Sequence, residues 1–279
     1  MSFKKEVNNK MEKLENGYFI IIEGCDGSGK TTAAKSLVNK LNNNGYDAIY
    51  VREPGGIPEA EKIREIVLNN ALDARQYTLL FMASMSLNIQ RTIKPALKNN
   101  KIVICDRFVR STYIYQGFCN YDPYAKVSAE EDECDLYKVF KDLVEYATFG
   151  LQPDLEFILD TSAEVAWDRI NARNKNSDVF EMLGFNHHKD IAEKYITIKD
   201  LEVYPSDYTT DVEHINTDYL NPHGVVESIY SKLVNYLDIY DGKVPVEKIK
   251  EYYDHKYGVS ELKTMDDDIR KESNKNGVV

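Results

Sequence analysis

A glycine-rich segment between a predicted strand and a predicted helix constrains this chain more than any other part of its sequence. Residues 24–31 read Gly-Cys-Asp-Gly-Ser-Gly-Lys-Thr and match the pattern GxxxxGK(S/T) without a mismatch. The apolar run 18–22 before this segment is typical of a strand that is buried on both faces. After it, apolar residues recur at helical spacing as far as Leu41. A strand, a glycine-rich turn and a helix in this order predict a phosphate-binding loop.

The residue types in this loop suit a nucleoside triphosphate. Its glycines allow successive backbone N–H groups to point at a phosphate chain, and the following helix adds the positive end of its dipole. Lys30 is expected to bridge the β- and γ-phosphates of ATP, and Thr31 to offer its hydroxyl to Mg²⁺. The residues expected to bind the nucleotide here are Gly24, Gly27, Ser28, Gly29, Lys30, Thr31 and Thr32.

Strands and helices alternate along the rest of the chain. Strands are predicted at 18–22, 48–51, 102–105, 155–160 and 213–216, and helices at 31–41, 59–70, 75–98 and 136–148. The alternation predicts an α/β fold, a three-layer P-loop sandwich whose five-stranded parallel sheet has helices on both faces. We expect a polar leader at 1–16, one domain over 17–236 and a charged extension of unknown role at 237–279.

The charge of the chain narrows the classes of partner. A net charge of −11 argues against a nucleic-acid polymer or an anionic membrane, since both require a broad basic surface. No apolar run approaches the ~20 residues that span a bilayer, and the first residues are charged rather than apolar. The four cysteines form no CxxC pair, which favours reduced thiols. A cytoplasmic protein that binds small molecules is the expectation.

Four segments together resemble the thymidylate kinase family. They are the strand and loop at 19–27, Arg-Glu-Pro-Gly-Gly at 52–56, the run from Asp106-Arg107-Phe108 to Tyr115-Gln116-Gly117, and the run from 153 to 173. The resemblance covers about 17–236 and places a lid at about 174–190. It implies a homodimeric nucleoside monophosphate kinase that uses ATP and Mg²⁺ to convert dTMP to dTDP.

The resemblance also implies an acceptor site. Arg107 would hold the acceptor phosphate with Arg64 as a second clamp, because a guanidinium can grip phosphate with two hydrogen bonds. Phe81 would stack on the acceptor base, and the amide of Gln116 suits a pyrimidine edge. The other residues expected there are Glu53, Pro54 (after a cis peptide), Met85, Thr112 and Tyr115.

Catalytic and metal-binding roles follow from the same resemblance. Asp26 would lie near the acceptor sugar 3′-hydroxyl and the metal, and so joins the residues around the ATP phosphates. Thr31, Asp106 and Glu181 would form the Mg²⁺ site, and Arg173 would stack on the adenine. The catalytic residues would be Lys30, Asp26 and Arg107.

Structural alternatives stay open for these side chains. Arg107 is also suited to an ion pair with a neighbouring carboxylate, Asp26 to a turn and Phe81 to a core. Arg64, Arg173 and Glu181 are equally suited to exposed surface, and packing is the alternative for Thr112, Tyr115 and Gln116. The pair His187-His188 has metal-ligand residue types but no partner cluster, so we interpret it as part of a mobile lid.

Two positions depart from the family pattern. Met85 stands where an arginine usually contacts the base, and Val179 stands where the lid usually carries an arginine. Base choice is therefore open: dUMP, a modified pyrimidine or another deoxynucleotide are alternatives to dTMP. Lys175, Arg173 or another residue must then supply the cation that stabilises the transferred phosphoryl group. A nucleoside acceptor is disfavoured by the two arginines, and a catalytically weak regulatory protein is the alternative from another class.

Overall fold

The computed structural model describes residues 17–117, 132–172, 179–197 and 210–240. Their core is a five-stranded sheet in which every pairing is parallel. The strands are β1 (Tyr18–Glu23), β2 (Ala48–Arg52), β3 (Ile102–Asp106), β4 (Leu155–Asp160) and β5 (Asp211–Asn216). Their spatial order is β2-β3-β1-β4-β5. This sheet, with helices around it, confirms the predicted fold class.

Nine α-helices lie within the described residues. They are α1 (Lys30–Asn43), α2 (Pro58–Asn69), α3 (Ala74–Asn88), α4 (Lys94–Lys98), α5 (Val109–Thr112), α6 (Asp132–Thr148), α7 (Ala163–Asn171), α8 (Gly184–Thr197) and α9 (Pro222–Tyr240). The sequence predicted one helix over 75–98, but the structure divides it into α3, a π-helical turn at Ile89–Ile93, and α4. Pro95 lies two residues after this turn and has no N–H to donate to a helical carbonyl, and the wider turn before it accommodates the missing hydrogen bond.

Both faces of the sheet are covered, as a parallel sheet requires. Phe19 and Ile21 of β1 pack in a buried cluster with residues of α3, α6 and α8. The alternate residues Ile20 and Ile22 point to the other face and are equally buried. Helix α1 contacts β1, β2 and β3. Because β1 and β3 are parallel neighbours, their carboxyl ends share one edge of the sheet. The candidate site lies at this edge.

The contacts within the chain divide it after Tyr230. The first unit holds the sheet, and only the end of α9 is described in the second. The leader 1–16 and most of the extension, from 241 on, lie outside the described residues, so the domain boundaries stay predictions. None of the described helices is long and apolar enough to cross a membrane.

Candidate active site

The phosphate-binding loop connects β1 to α1, as the sequence predicted. Gly24 and Gly27 have φ of 144° and 84°, values that favour glycine. A Cβ at Gly27 would overlap the backbone carbonyl of Ala166, and one at Gly24 would come within 2.8 Å of the carbonyl of Leu159. Glycine is therefore required at both positions for the loop to pack against the elements behind it.

Lys30 lies over this loop. Its Nζ donates to the carbonyl of Cys25 at 2.6 Å, and the residue is buried. Burial and the nearby Arg107 lower the pKa of Lys30 to about 8. The ammonium is thus held at the loop by a backbone carbonyl, at the place where the motif expects phosphate oxygens.

Thr31 and Asp106 meet at the start of α1 and the end of β3. The Thr31 hydroxyl donates to Asp106 Oδ2 at 2.5 Å, and the Tyr50 hydroxyl donates to the same oxygen at 3.2 Å. A hydroxyl and a carboxylate are hard oxygen ligands, and Mg²⁺ typically takes one or two such groups together with substrate phosphates. These two residues therefore fit a magnesium site.

The remaining predicted metal ligand is not tested by the structure, because the Glu181 side chain lies outside the described residues. Within the described part of the chain, no group of three His, Cys, Asp or Glu side chains is placed to hold a metal ion. The donor set that fits Mg²⁺ here is thus the pair Thr31 and Asp106.

Arg107 follows β3 directly and has a φ of 72°. Its guanidinium forms an ion pair with Asp26, and it also donates to Ser111 Oγ at 2.8 Å and to the carbonyl of Gly24 at 3.3 Å. Burial disfavours the Asp26 carboxylate, but Arg107 and Lys30 outweigh it and lower the pKa of Asp26 to about 2. The ion pair considered as an alternative for Arg107 is thus present, and it lies inside the site.

A cleft beside this pair is lined by all of the predicted acceptor residues. It encloses about 650 Å³ together with the open space at its mouth. The predicted residues that line it are Asp26, Glu53, Pro54, Arg64, Phe81, Met85, Arg107, Thr112, Tyr115 and Gln116. Arg64 donates to the carbonyl of Pro54 at 3.0 Å, and the Tyr115 hydroxyl donates to Asp26 Oδ2 at 3.0 Å. Among the residues that the structure describes, the buried Gln116 side-chain oxygen has no hydrogen-bond partner.

The loop at 52–56 forms one wall of this cleft, and the Glu53–Pro54 peptide is cis. Glu53 Oε2 accepts from Ser84 Oγ, and Oε1 accepts from Asn88 Nδ2, each at 2.7 Å. Asn88 Nδ2 also donates to the carbonyl of Gly55 at 2.6 Å. Burial raises the pKa of Glu53 to about 8 although both hydrogen bonds favour its charged form. Glu53 therefore lines the cleft while its two oxygens bind α3.

Phe180 adds a lid residue to the cleft that the sequence analysis did not predict. Its ring lies 5.0 Å from that of Tyr77 and 6.2 Å from that of Tyr115. The preceding Val179 donates its N–H to the carbonyl of Leu68 at 3.4 Å, and Leu68 also lines the cleft. The sequence signal that could have identified Phe180 was an aromatic residue within an otherwise polar lid segment.

The other lid predictions have different outcomes. Arg173 and Lys175 lie outside the described residues, so the source of the missing cation stays a prediction. His187 and His188 are part of α8, where His188 is buried with its ring 5.2 Å from that of Trp167. Arg169 of α7 donates to the carbonyl of Thr217 at 2.8 Å and so connects α7 to the end of β5.

Two further residues behind Arg107 were missed. Glu23, at the end of β1, is fully buried, and the hydroxyls of Ser111 and Tyr195 donate to its Oε2 at 2.6 and 2.9 Å. A charged residue at the end of an apolar run was a signal for Glu23. Nothing in the local pattern around Tyr195 indicates a contact with a residue so distant in sequence.

Comparison with known proteins agrees with this geometry. The family model described as "Thymidylate kinase" matches residues 22–218, which is more than half of the chain. A thymidylate kinase of Clostridium novyi is 36% identical over 197 residues, which cover 69% of this chain and 89% of that protein. A thymidylate kinase of Mycoplasmoides gallisepticum is 42% identical over 164 residues, which cover 58% of this chain and 71% of that protein. On this evidence the chain belongs to the thymidylate kinase family.

Proposed function

We propose that this protein transfers the γ-phosphoryl group of ATP to dTMP, which yields ADP and dTDP. The observation that carries the proposal is the position of two cationic sites at the carboxyl ends of neighbouring strands. Lys30 lies at the end of the loop after β1, and Arg107 follows β3 and lines a cleft together with Arg64. An open α/β sheet binds its ligands at this edge.

The donor half of the site binds the triphosphate. The backbone N–H groups of the loop and the Lys30 ammonium would surround the β- and γ-phosphates. Thr31 and Asp106 would hold Mg²⁺, which when bound neutralises charge on these phosphate oxygens. Lys30 would exchange its bond to the Cys25 carbonyl for bonds to phosphate, which favours its protonated form.

The acceptor half binds the monophosphate. Arg107 and Arg64 would neutralise the acceptor dianion, so that an ionised phosphate oxygen can approach the γ-phosphorus in line with the leaving oxygen of ADP. No general base is needed, because that oxygen carries no proton at neutral pH. A nucleoside carries no anionic group for Arg107 and Arg64 to bind, and so a monophosphate is the better acceptor.

The base is expected to lie against Phe81, between Thr112, Met85 and Gln116. The Gln116 oxygen, which has no hydrogen-bond partner in the described part of the chain, suits the imide N–H of thymine or uracil. Met85 offers no hydrogen-bond donor to the 4-position of the base. We therefore propose dTMP as the substrate, with dUMP as the alternative acceptor.

An assay of ADP release across dTMP, dUMP, dCMP and dGMP tests the proposal. We expect the highest kcat/KM with dTMP, and ADP release from none of them would contradict kinase activity. Lys30→Ala and Arg107→Ala should each lower kcat/KM by roughly 100-fold, as for the loss of a charged hydrogen-bonding group. Arg91→Ala is the matched control, since Arg91 is exposed and pairs with Glu59 on the surface. Parent-like activity in both folded site variants would overturn the proposal.

We also propose a cytoplasmic homodimer, as the resemblance implied. Tyr146 of α6 is 84% exposed and Leu79 of α3 is 56% exposed, and these two helices pack together. Exposed apolar residues on neighbouring helices favour a subunit interface. Light scattering should give twice the 32.1 kDa chain mass, and a mass near one chain would contradict the dimer.

A further inference from the structure

A buried hydrogen-bond network lies directly behind the acceptor arginine. Arg107 Nη1 donates to Ser111 Oγ at 2.8 Å, and Ser111 Oγ donates to Glu23 Oε2 at 2.6 Å. The donors thus run in one direction, from the guanidinium through a hydroxyl to a carboxylate. Such a chain fixes the orientation of the guanidinium, because each bond strengthens its neighbour in a buried site.

The burial and the hydrogen bonds of Glu23 suit a residue that fixes the orientation of Arg107. It is fully buried, and its Oε1 accepts from the backbone N–H groups of Phe108 and Ser111 at 2.8 and 3.1 Å. These bonds fix the turn between β3 and α5, in which Arg107 adopts a positive φ. Burial and the neighbouring Glu156 raise the pKa of Glu23, while Arg107 and the hydrogen bonds act in the opposite direction. A costly buried carboxyl is therefore bonded both to the backbone and to the side-chain partner of Arg107.

Tyr195 brings a third element into the network. Its hydroxyl lies 2.9 Å from Glu23 Oε2, 2.8 Å from Ser111 Oγ and 3.5 Å from Arg107 Nη1. The ring is almost completely buried at 1% exposure, and it belongs to α8, the helix that follows the described end of the lid. The position of Arg107 thus depends on residues from β1, α5 and α8.

We propose that Glu23 is a positioning residue for the acceptor phosphate. It acts on Arg107 through Ser111, and Tyr195 supplies the contact from α8. The proposal rests on the proposed function, in which Arg107 binds that phosphate. Glu23 does not touch the substrate. Through Ser111 it holds the Arg107 guanidinium at the cleft, in the position where the guanidinium also pairs with Asp26.

Three variants test this role by steady-state kinetics. Tyr195→Phe and Ser111→Ala each remove one hydroxyl, and Glu23→Gln removes the charge but keeps an oxygen for the backbone N–H groups. We expect KM for dTMP to rise about 5- to 10-fold in Tyr195→Phe and Ser111→Ala, and about 10-fold or more in Glu23→Gln. KM for ATP should change less than twofold, because the ATP loop keeps its contacts. Tyr219→Phe, which removes the hydroxyl of a residue that is 93% exposed, is the control.

The pattern of results separates the outcomes. A purely structural role would lower the thermal midpoint or the active fraction, and so kcat, without a selective rise in KM for dTMP. That pattern, or unchanged kinetics in a folded Tyr195→Phe variant, would overturn the proposal. In the double variant Tyr195→Phe/Ser111→Ala, the effects should be less than additive if both hydroxyls serve one network. If Arg107→Ala itself leaves KM for dTMP unchanged, the proposed function fails instead.

Discussion

Asn88 donates its side-chain N–H to Glu53 Oε1 at 2.7 Å and so joins α3 to the loop that carries the cis-proline. Ser84 donates to the other oxygen of the same carboxyl group, one helical turn away. Phe81 and Met85, on the same helix, form part of the acceptor cleft. One buried carboxyl group therefore sets the distance between two walls of that cleft.

The titration of Glu53 should be visible in the stability of the protein. Burial raises the pKa of Glu53 to about 8 in the folded state, against 4.5 for an unperturbed glutamate side chain. The folded protein therefore binds more protons than the unfolded chain between these values, and the free energy of unfolding falls as pH rises from about 4.5 to 8. One group contributes at most about 1.4 kcal/mol per pH unit. Glu53→Gln should flatten the decline of the thermal midpoint between pH 6 and 9, and parallel curves for variant and parent would contradict the shift.

Much of this site could be predicted from the order of residues along the chain. The loop at 24–31 and Arg107 follow buried strands, and parallel strands bring their carboxyl ends to one edge whatever their separation in sequence. The contact of Tyr195 with Glu23 spans 172 residues and depends on how α8 packs on the sheet, which local periodicity does not encode. Glu53 was expected in the acceptor site from the family resemblance alone, and only the packing of α3 reveals that its two oxygens are bonded to that helix.

Because Met85 is apolar, we expect relaxed recognition of the acceptor base. It lines the cleft and is 1% exposed, so it presents an apolar surface where the family usually places an arginine. Met85→Arg should supply a donor to the 4-oxygen of thymine and raise the ratio of kcat/KM for dTMP over dCMP by about tenfold, the effect of one charged hydrogen bond. Ala83→Arg places the same charge on the exposed side of α3 and should leave the ratio unchanged. A Met85→Arg variant that folds but keeps the parent ratio would show that this position does not read the base.

The position of Phe180 indicates that the lid takes part in acceptor binding. Its ring contacts Tyr77 and Tyr115, and it lines the cleft. Phe180→Ala should raise KM for dTMP by about tenfold, as expected for the loss of an aromatic contact and its buried area. KM for ATP should stay close to the parent value. Leu183→Ala is the matched control, because Leu183 belongs to the same segment and is 52% exposed. Equal KM values for dTMP in the two variants would remove Phe180 from the acceptor site.

The lowered pKa of Lys30 leads us to expect that ATP binding weakens in alkaline solution. Burial and Arg107 lower the pKa of Lys30 to about 8, so part of the free protein carries a neutral amine there above that pH. The triphosphate restores the charge, and ATP binding above pH 8 should therefore take up a proton. Calorimetry at pH 8.5 in two buffers of different ionisation enthalpy measures this uptake, which should be absent in Lys30→Met. Equal apparent enthalpies for the parent in both buffers would exclude the titration.

Arg110 and Glu156 form a buried ion pair whose contribution to the stability of the fold can be measured by unfolding. Arg110 Nε and Nη2 donate to the two Glu156 oxygens at 2.9 and 2.7 Å, and both side chains are almost fully buried. Removal of one partner leaves a buried charge, so Arg110→Met or Glu156→Leu should each lower the free energy of unfolding by roughly 3–5 kcal/mol. The double variant should be closer to the parent than either single variant, because apolar side chains can replace the pair without leaving a charge. Chemical denaturation of all four proteins measures the coupling. Additive losses in the double variant would mean that these side chains stabilise the fold independently, by packing rather than by their charges.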